Sequence, residues 1–161
     1  MLDVGCGAAG HVGRFLADLG ARVIGVDLSA RSAGLAQRLN PALRFLAADM
    51  RALPCASGAC AGVVAFYSLI YAADPSLALL ELRRVLRPGA VLLLAVHGGQ
   101  GAQRFDSYKG TPVDVELHLR SPQVLAGQVR AAGFAVERVE VRPPYPFEHA
   151  TDRLYLSARA V

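Results

Sequence analysis

A glycine-rich turn opens this chain within its first ten residues. Leu2-Asp3-Val4 reads as the end of a buried strand, and Gly5-Cys6-Gly7-Ala8-Ala9-Gly10 follows directly. The next segment, His11–Leu19, carries Val12, Phe15, Leu16 and Leu19 at helical spacing, and Gly20 is placed to end it. Glycine lets the backbone turn sharply and come close to a ligand. The amides that open the following helix can meet a negative group. A strand that enters a helix through such a turn commits the chain to an α/β architecture. By itself the G-x-G-x-x-G spacing is common to several nucleotide-binding folds.

Strand and helix patterns then alternate to the end. Arg22–Val26, Leu43–Ala47, Gly62–Tyr67 and Val91–Val96 read as strands. Ser29 caps a helix that carries Leu35 and Leu39 and stops before Pro41. Pro75–Leu86 is a second such helix, with Leu77, Leu80 and Val85 on its inner face, and Arg87-Pro88-Gly89 turns the chain into the next strand. Gly98 to Gly110 reads as a long mobile loop. Ser121–Ala132 is a helix capped by Ser121, with Pro122 at its first position. Ala135–Val141 and Arg153–Ala160 have no room for a helix between them and should pair antiparallel at one edge. The expected fold is a doubly wound α/β domain over residues 1–161: a mostly parallel seven-stranded sheet, helices on both faces and an antiparallel edge pair.

Hydrophobic residues make up 53% of the 161 and charged residues 19%, enough to build a core and too apolar for a disordered chain. No apolar run approaches the ~20 residues of a membrane span. With no signal-peptide pattern at the start, a cytoplasmic location is expected. The net charge of +4 is spread along the chain. Its densest group, Arg83, Arg84 and Arg87, reads as a solvated helix face, without the interleaved aromatics of a nucleic-acid surface. Cys6, Cys55 and Cys60 are odd in number, and the spacing of the last two fits no common zinc pattern; no metal is expected.

Two carboxylates extend the pattern of the glycine turn. Asp27 ends the second strand, where an acidic residue in such folds accepts both ribose hydroxyls. Asp49, in Ala48-Asp49-Met50 after the third strand, could accept a hydrogen bond from an adenine amino group. In series with Leu2–Gly10 and Leu86-Arg87-Pro88-Gly89, these motifs resemble the class I methyltransferases that use S-adenosylmethionine, and the resemblance covers nearly the whole chain. It implies that Asp3, Gly5, Gly7 and Gly10 hold the methionine portion, Asp27 the ribose, and Leu28, Asp49 and Met50 the adenine. It places Phe66 and Tyr67 near the sulfonium. The chain departs from the family in three ways. Its turn is one residue longer than G-x-G-x-G, Cys60-Ala61 stands where relatives have an aromatic and an aspartate, and Met1 falls at a strand position with no helix ahead of it. An upstream start, a fragment, or a second copy of the chain that covers the open pocket would each account for the last.

Two other functions share parts of this pattern. An NAD(P)-dependent oxidoreductase has the same glycine spacing, but Asp3 replaces its apolar strand residue and no Tyr-x-x-x-Lys pair is present. A non-catalytic binder could keep the fold and the cofactor alone. Among methyl acceptors, Phe66-Tyr67-Ser68-Leu69 is unlike the Asn/Asp-Pro-Pro-Tyr/Phe of amino-directed DNA methylation, and Pro54-Cys55 precedes the strand that the cytosine-C5 nucleophile follows. A small-molecule acceptor is therefore expected. His97, at the end of the fifth strand, is the first candidate for a general base, with Tyr67 beside it. Tyr71, Tyr145 and His149 are candidates to line the pocket.

Overall fold

The computed structural model describes residues 1–108 and 110–161; Lys109, within the expected loop, lies outside the described residues. In chain order the elements are β1 (Leu2–Val4), α1 (His11–Asp18), β2 (Ile24–Asp27), α2 (Ala30–Leu39), β3 (Arg44–Ala47) and β4 (Cys60–Phe66). A 3-10 turn (Leu69–Tyr71) precedes α3 (Ser76–Val85), β5 (Leu86–Gly98), β6 (Ala102–Tyr108), β7 (Thr111–His118), α4 (Pro122–Ala131), β8 (Phe134–Arg142) and β9 (Asp152–Ala160). Seven strands form one sheet in the order β3-β2-β1-β4-β5-β9-β8. The first five run parallel, and β9 lies antiparallel between β5 and β8. Strand order reverses between β1 and β4, which makes their carboxyl ends the natural ligand site.

Local chemistry explains the helix boundaries. The Ser29 hydroxyl accepts from Ser32 N at 3.1 Å, and the Ser121 hydroxyl from Val124 N at 3.2 Å, each occupying an amide that the helix start leaves unpaired. Gly20, at φ 88°, stops α1. The turn at Arg87-Pro88-Gly89 is a bulge within β5: Cys60 pairs with Leu86, and Gly62 with Val91. Among the described residues no helix is long and apolar enough to cross a membrane.

Three expectations change. The inner face of α3 is Ala78, Leu79, Leu82 and Val85, whereas Leu77 and Leu80 are 64% and 52% exposed. Both stripes have helical spacing, and docking against the sheet selects one of them. On α1 the buried residue is Gly13, while Phe15 and Leu19 are exposed. A Cβ on Gly13 would lie 3.2 Å from the Asp3 carboxylate, so the helix approaches β1 through its glycine. The expected loop from Gly98 to Gly110 is largely strand: β6 pairs with β7 as a separate antiparallel hairpin. Its glycines supply the bends, with Gly99, Gly101 and Gly110 all at positive φ. Val113, Val115 and Leu117 alternate with exposed Asp114 and Glu116, a period of two that gives the hairpin one apolar side.

Arg120 ties this hairpin to the body. Its buried guanidinium donates to the carbonyls of Leu69 and His118, at 3.3 and 3.1 Å, and to that of Ala72. The phase of α3 gives a direct check. Leu79→Ala should cost about 2–5 kcal/mol by opening a cavity, whereas Leu80→Ala should stay within about 0.5 kcal/mol; urea unfolding of the two variants reads the difference.

Candidate active site

The glycine turn is held from several sides at the carboxyl ends of β1, β2 and β4. Asp27 Oδ2 accepts from Gly7 N, and Asp27 Oδ1 from Ser29 N, both at 2.9 Å. The carboxylate therefore pulls the turn onto the end of β2 and stays partly exposed. Asp3, 2% exposed, accepts from Gly13 N at 2.8 Å. Burial pushes its carboxyl up to about 6, against the opposing effect of that amide. Gly5, at φ 75°, leaves room for β4: a Cβ there would lie 2.2 Å from Ser68 Cβ. Gly10, at φ 57°, has the Phe45 ring where its Cβ would be, at 2.7 Å.

Sequence reading passed over three residues that shape this turn. Ser68 Oγ donates to Val4 O at 2.8 Å. Asn40 Nδ2 donates to Ala9 O at 2.9 Å, and Phe45 packs against Gly10 and Gly25. No local motif marks them, because each meets the turn from a distant part of the chain.

The residues expected to hold an adenine are more open. Asp49 is engaged by Arg51, whose Nη2 lies 2.6 Å from Oδ2, and this partner holds the carboxyl below its ordinary value. Met50 packs half-buried against the core, and Leu28 is 72% exposed. Phe66 ends β4 opposite Ala95 of β5, with its ring in edge contact with that of Tyr155 at 6.4 Å.

Beside the turn a cavity of about 650 Å³ opens, lined by Tyr67, Tyr71, His97, Phe105 and His149 with the apolar side of the β6–β7 hairpin. Four of the sequence candidates thus meet: Tyr67, Tyr71, His97 and His149. Tyr145 does not join them. It stacks on Phe147 at 5.6 Å, with the Arg142 guanidinium 4.1 Å from its ring centre. A larger cleft of about 960 Å³ lies at the amino ends of the strands, near Met1, Arg22 and Arg44, and shares no residue with the glycine turn.

Tyr67 is left-handed at φ 55°, the described non-glycine residue with positive φ. Its ring lies 5.1 Å from that of His97, and its hydroxyl 3.3 Å from that of Tyr155. Burial and this hydrogen bond raise its pKa well above the ordinary phenol value, so Tyr67 keeps its proton. His97 Nδ1 lies 2.7 Å from Thr151 Oγ1 and 3.2 Å from Arg153 Nη1, and that nitrogen also donates to Thr151 Oγ1 at 2.9 Å. Burial, then the Arg153 cation, lowers His97 to about 4. His149 Nε2 lies 2.7 Å from Gln103 Oε1, and its ring stands edge-on to Phe105 and His97, at 5.3 and 5.8 Å.

The sequence model of the family described as "Methyltransferase domain" matches residues 2–94, from β1 into β5. The chain belongs to this family. The malonyl-[acyl-carrier protein] O-methyltransferase of Serratia marcescens is 32% identical to this methyltransferase domain over 135 residues, covering 82% of this chain and 51% of that enzyme. The chain spans 36%, 46% and 51% of the length of three curated relatives of that name. In structure it superposes on a SAM-dependent methyltransferase from Methanosarcina mazei with a TM-score of 0.89 at 19% identity, covering 99% of this chain and 91% of that one. The 1,6-didemethyltoxoflavin-N1-methyltransferase of Burkholderia thailandensis, solved with 1,6-didemethyltoxoflavin and S-adenosylhomocysteine bound, gives a TM-score of 0.77 at 25% identity. That match covers 99% of this chain and 70% of the enzyme.

The two shifted acids imply opposite pH dependences. His97 titrates near 4 in the fold and at 6.5 ordinarily, so between those values the unfolded chain binds the proton and stability falls as pH falls. Asp3 titrates near 6 in the fold and at 3.8 ordinarily, so its contribution to stability is lost as pH rises through 6. Urea midpoints between pH 4 and 7 should therefore show a shallower acid-side loss for His97→Gln than for the unaltered chain, and a steeper one for Asp3→Asn.

Proposed function

We propose that this chain transfers a methyl group from S-adenosylmethionine to a small-molecule acceptor. The observation that carries this reading is the placement of the Asp27-bound glycine turn at the β1–β4 switch point, next to an apolar cavity open at the same strand ends. The residues suit the cofactor. Each Asp27 oxygen takes one backbone N–H, which leaves lone pairs for the two hydroxyls of a ribose. Nothing lies within 4 Å of the space a Gly7 Cβ would take, so a ligand can approach that backbone closely. Asp3, Gly5, Gly7 and Gly10 would hold the methionine end, and Leu28 and Met50 would flank the adenine. Asp49 would share its carboxylate between Arg51 and the adenine amino group. Phe66 and Tyr67, at the end of β4, would lie near the sulfonium, with Tyr67 also lining the cavity.

When bound, S-adenosylmethionine supplies a sulfonium methyl open to in-line displacement. The protein then has to align the acceptor and keep water away. The apolar hairpin and the Tyr67 and Phe105 rings supply walls for that purpose. The relatives named above act on small or carrier-bound acceptors, which supports an acceptor of that kind here.

Calorimetric titration should give tighter binding of S-adenosylhomocysteine than of NAD or NADP, and equal or tighter nicotinamide binding would sink the proposal. Release of S-adenosylhomocysteine over a panel of small neutral acceptors separates an enzyme from a module that only holds the cofactor. Asp27→Ala should weaken S-adenosylhomocysteine binding about tenfold to a hundredfold, since hydrogen bonds to a charged acceptor contribute roughly 1.5–3 kcal/mol. An unchanged dissociation constant, with thermal unfolding measured in parallel, would reduce Asp27 to a loop brace.

A further inference from the structure

We propose that the cavity clamps a neutral phenolic hydroxyl, with His97 Nε2–H donating to its oxygen and His149 Nδ1 accepting its proton. This rests on the reading of the cavity as the acceptor site and names the class of acceptor.

Hydrogen-bond partners decide which nitrogen of each ring carries the proton. Arginine has donors and no acceptor. Arg153 Nη1, 3.2 Å from His97 Nδ1, therefore faces a lone pair there. The same guanidinium nitrogen donates to Thr151 Oγ1, whose own hydrogen can then donate to the His97 Nδ1 lone pair at 2.7 Å. A cation that faces Nδ1, beside a hydroxyl that can donate to it, puts the His97 proton on Nε2 of a ring that lines the cavity. The His97 nitrogen with a lone pair is thus turned away toward β9, and His97 serves the cavity as a donor in place of the base that its position suggested. Arg153 is 4% exposed and also donates to His149 O at 3.1 Å, so the arrangement is built into the fold.

His149 has the opposite polarity. Gln103 Oε1 accepts from its Nε2 at 2.7 Å, which leaves Nδ1 with a lone pair. The rings of His97 and His149 stand at 89° with centroids 5.8 Å apart and both line the cavity, which puts a donor-bearing ring beside an acceptor-bearing one. A hydroxyl complements such a pair, since its oxygen accepts while its hydrogen donates. The remaining walls select the body of the ligand. Phe105, Ile70, Val115 and Leu117 are apolar, and among the described residues that line the cavity none carries a charged side chain. An aromatic ring without charge meets those walls at no cost of an unpaired ion. In transfer the O–H bond would break and its proton pass to His149 Nδ1, while the oxygen's electron pair would form the new bond to methyl carbon as the methyl–sulfur bond breaks and leaves its pair on the thioether sulfur. His97 Nε2–H steadies the charge that gathers on that oxygen.

The test uses 2-naphthol and its methyl ether, 2-methoxynaphthalene, titrated into the full chain. The ether oxygen can accept from His97 but has no hydrogen for His149. 2-Naphthol should bind about threefold to tenfold tighter than the ether, as one neutral hydrogen bond gives. His149→Phe should erase that preference by weakening the naphthol alone. His97→Phe should weaken both ligands, and His97→Gln, whose amide can present a donor near the Nε2 position, should recover both. Equal affinity of the two ligands in the unaltered chain overturns the clamp, as does a failure of His97→Gln to recover binding lost in His97→Phe. S-adenosylhomocysteine is titrated into the same preparations. Its binding without naphthol preference overturns the clamp alone, and naphthol preference without its binding overturns the methyltransferase reading alone.

Discussion

Ser68 packs against Gly5 so closely that any side chain on Gly5 would clash with it, and most of the functional geometry depends on this approach. The absent side chain of Gly5 leaves the space that Ser68 Cβ occupies, and Ser68 Oγ then donates to Val4 O. This joins the carboxyl ends of β1 and β4 at the point where the strand order reverses. Tyr67 precedes Ser68 in the chain and is held left-handed by the same junction, with its amide on Ala95 O at 2.7 Å. One contact thus sets the glycine turn on one side and the wall of the cavity on the other. A larger residue at Gly5 would have to open the sheet or move the turn.

Two buried arginines carry the organisation further out. Arg120 binds carbonyls in the 69–73 turn and at the base of the β6–β7 hairpin, which fixes the hairpin over the cavity. Arg153 binds Thr151 and His149 and faces His97 Nδ1. Burying a cation is costly unless its donors are satisfied. Backbone carbonyls satisfy most of them here, and Glu148 lies 3.8 Å from Arg153 Nε. Glu148 is in turn clamped by Arg142 through both oxygens, at 3.0 and 2.9 Å, which lowers it to about 2. The loop that carries His149 is therefore tethered at several points.

Much of the framework was legible along the chain. The glycine turn, the strand-helix alternation and the Ser29 and Ser121 caps depend on neighbouring residues, and each appears where local chemistry puts it. The misread parts were those where a local pattern has two solutions. The α3 sequence has two apolar stripes, and only contact with the sheet selects Leu79 and Leu82 over Leu77 and Leu80. The glycines between 98 and 110 suggested a loop, although the alternation of Val113, Val115 and Leu117 already carried the period of a strand.

What the sequence determined alone was the class of fold and the presence of the glycine turn, because glycine spacing, capping and hydrophobic period act over a few residues. The tertiary structure decided the chemistry of the cavity. His97 sits at the end of β5 in either description, but its proton position depends on Thr151 and Arg153, more than fifty residues away and brought alongside by the antiparallel pairing of β9 with β5. His149 meets Gln103 across a similar separation. A histidine's role depends on what faces each of its nitrogens, and only packing brings those partners together.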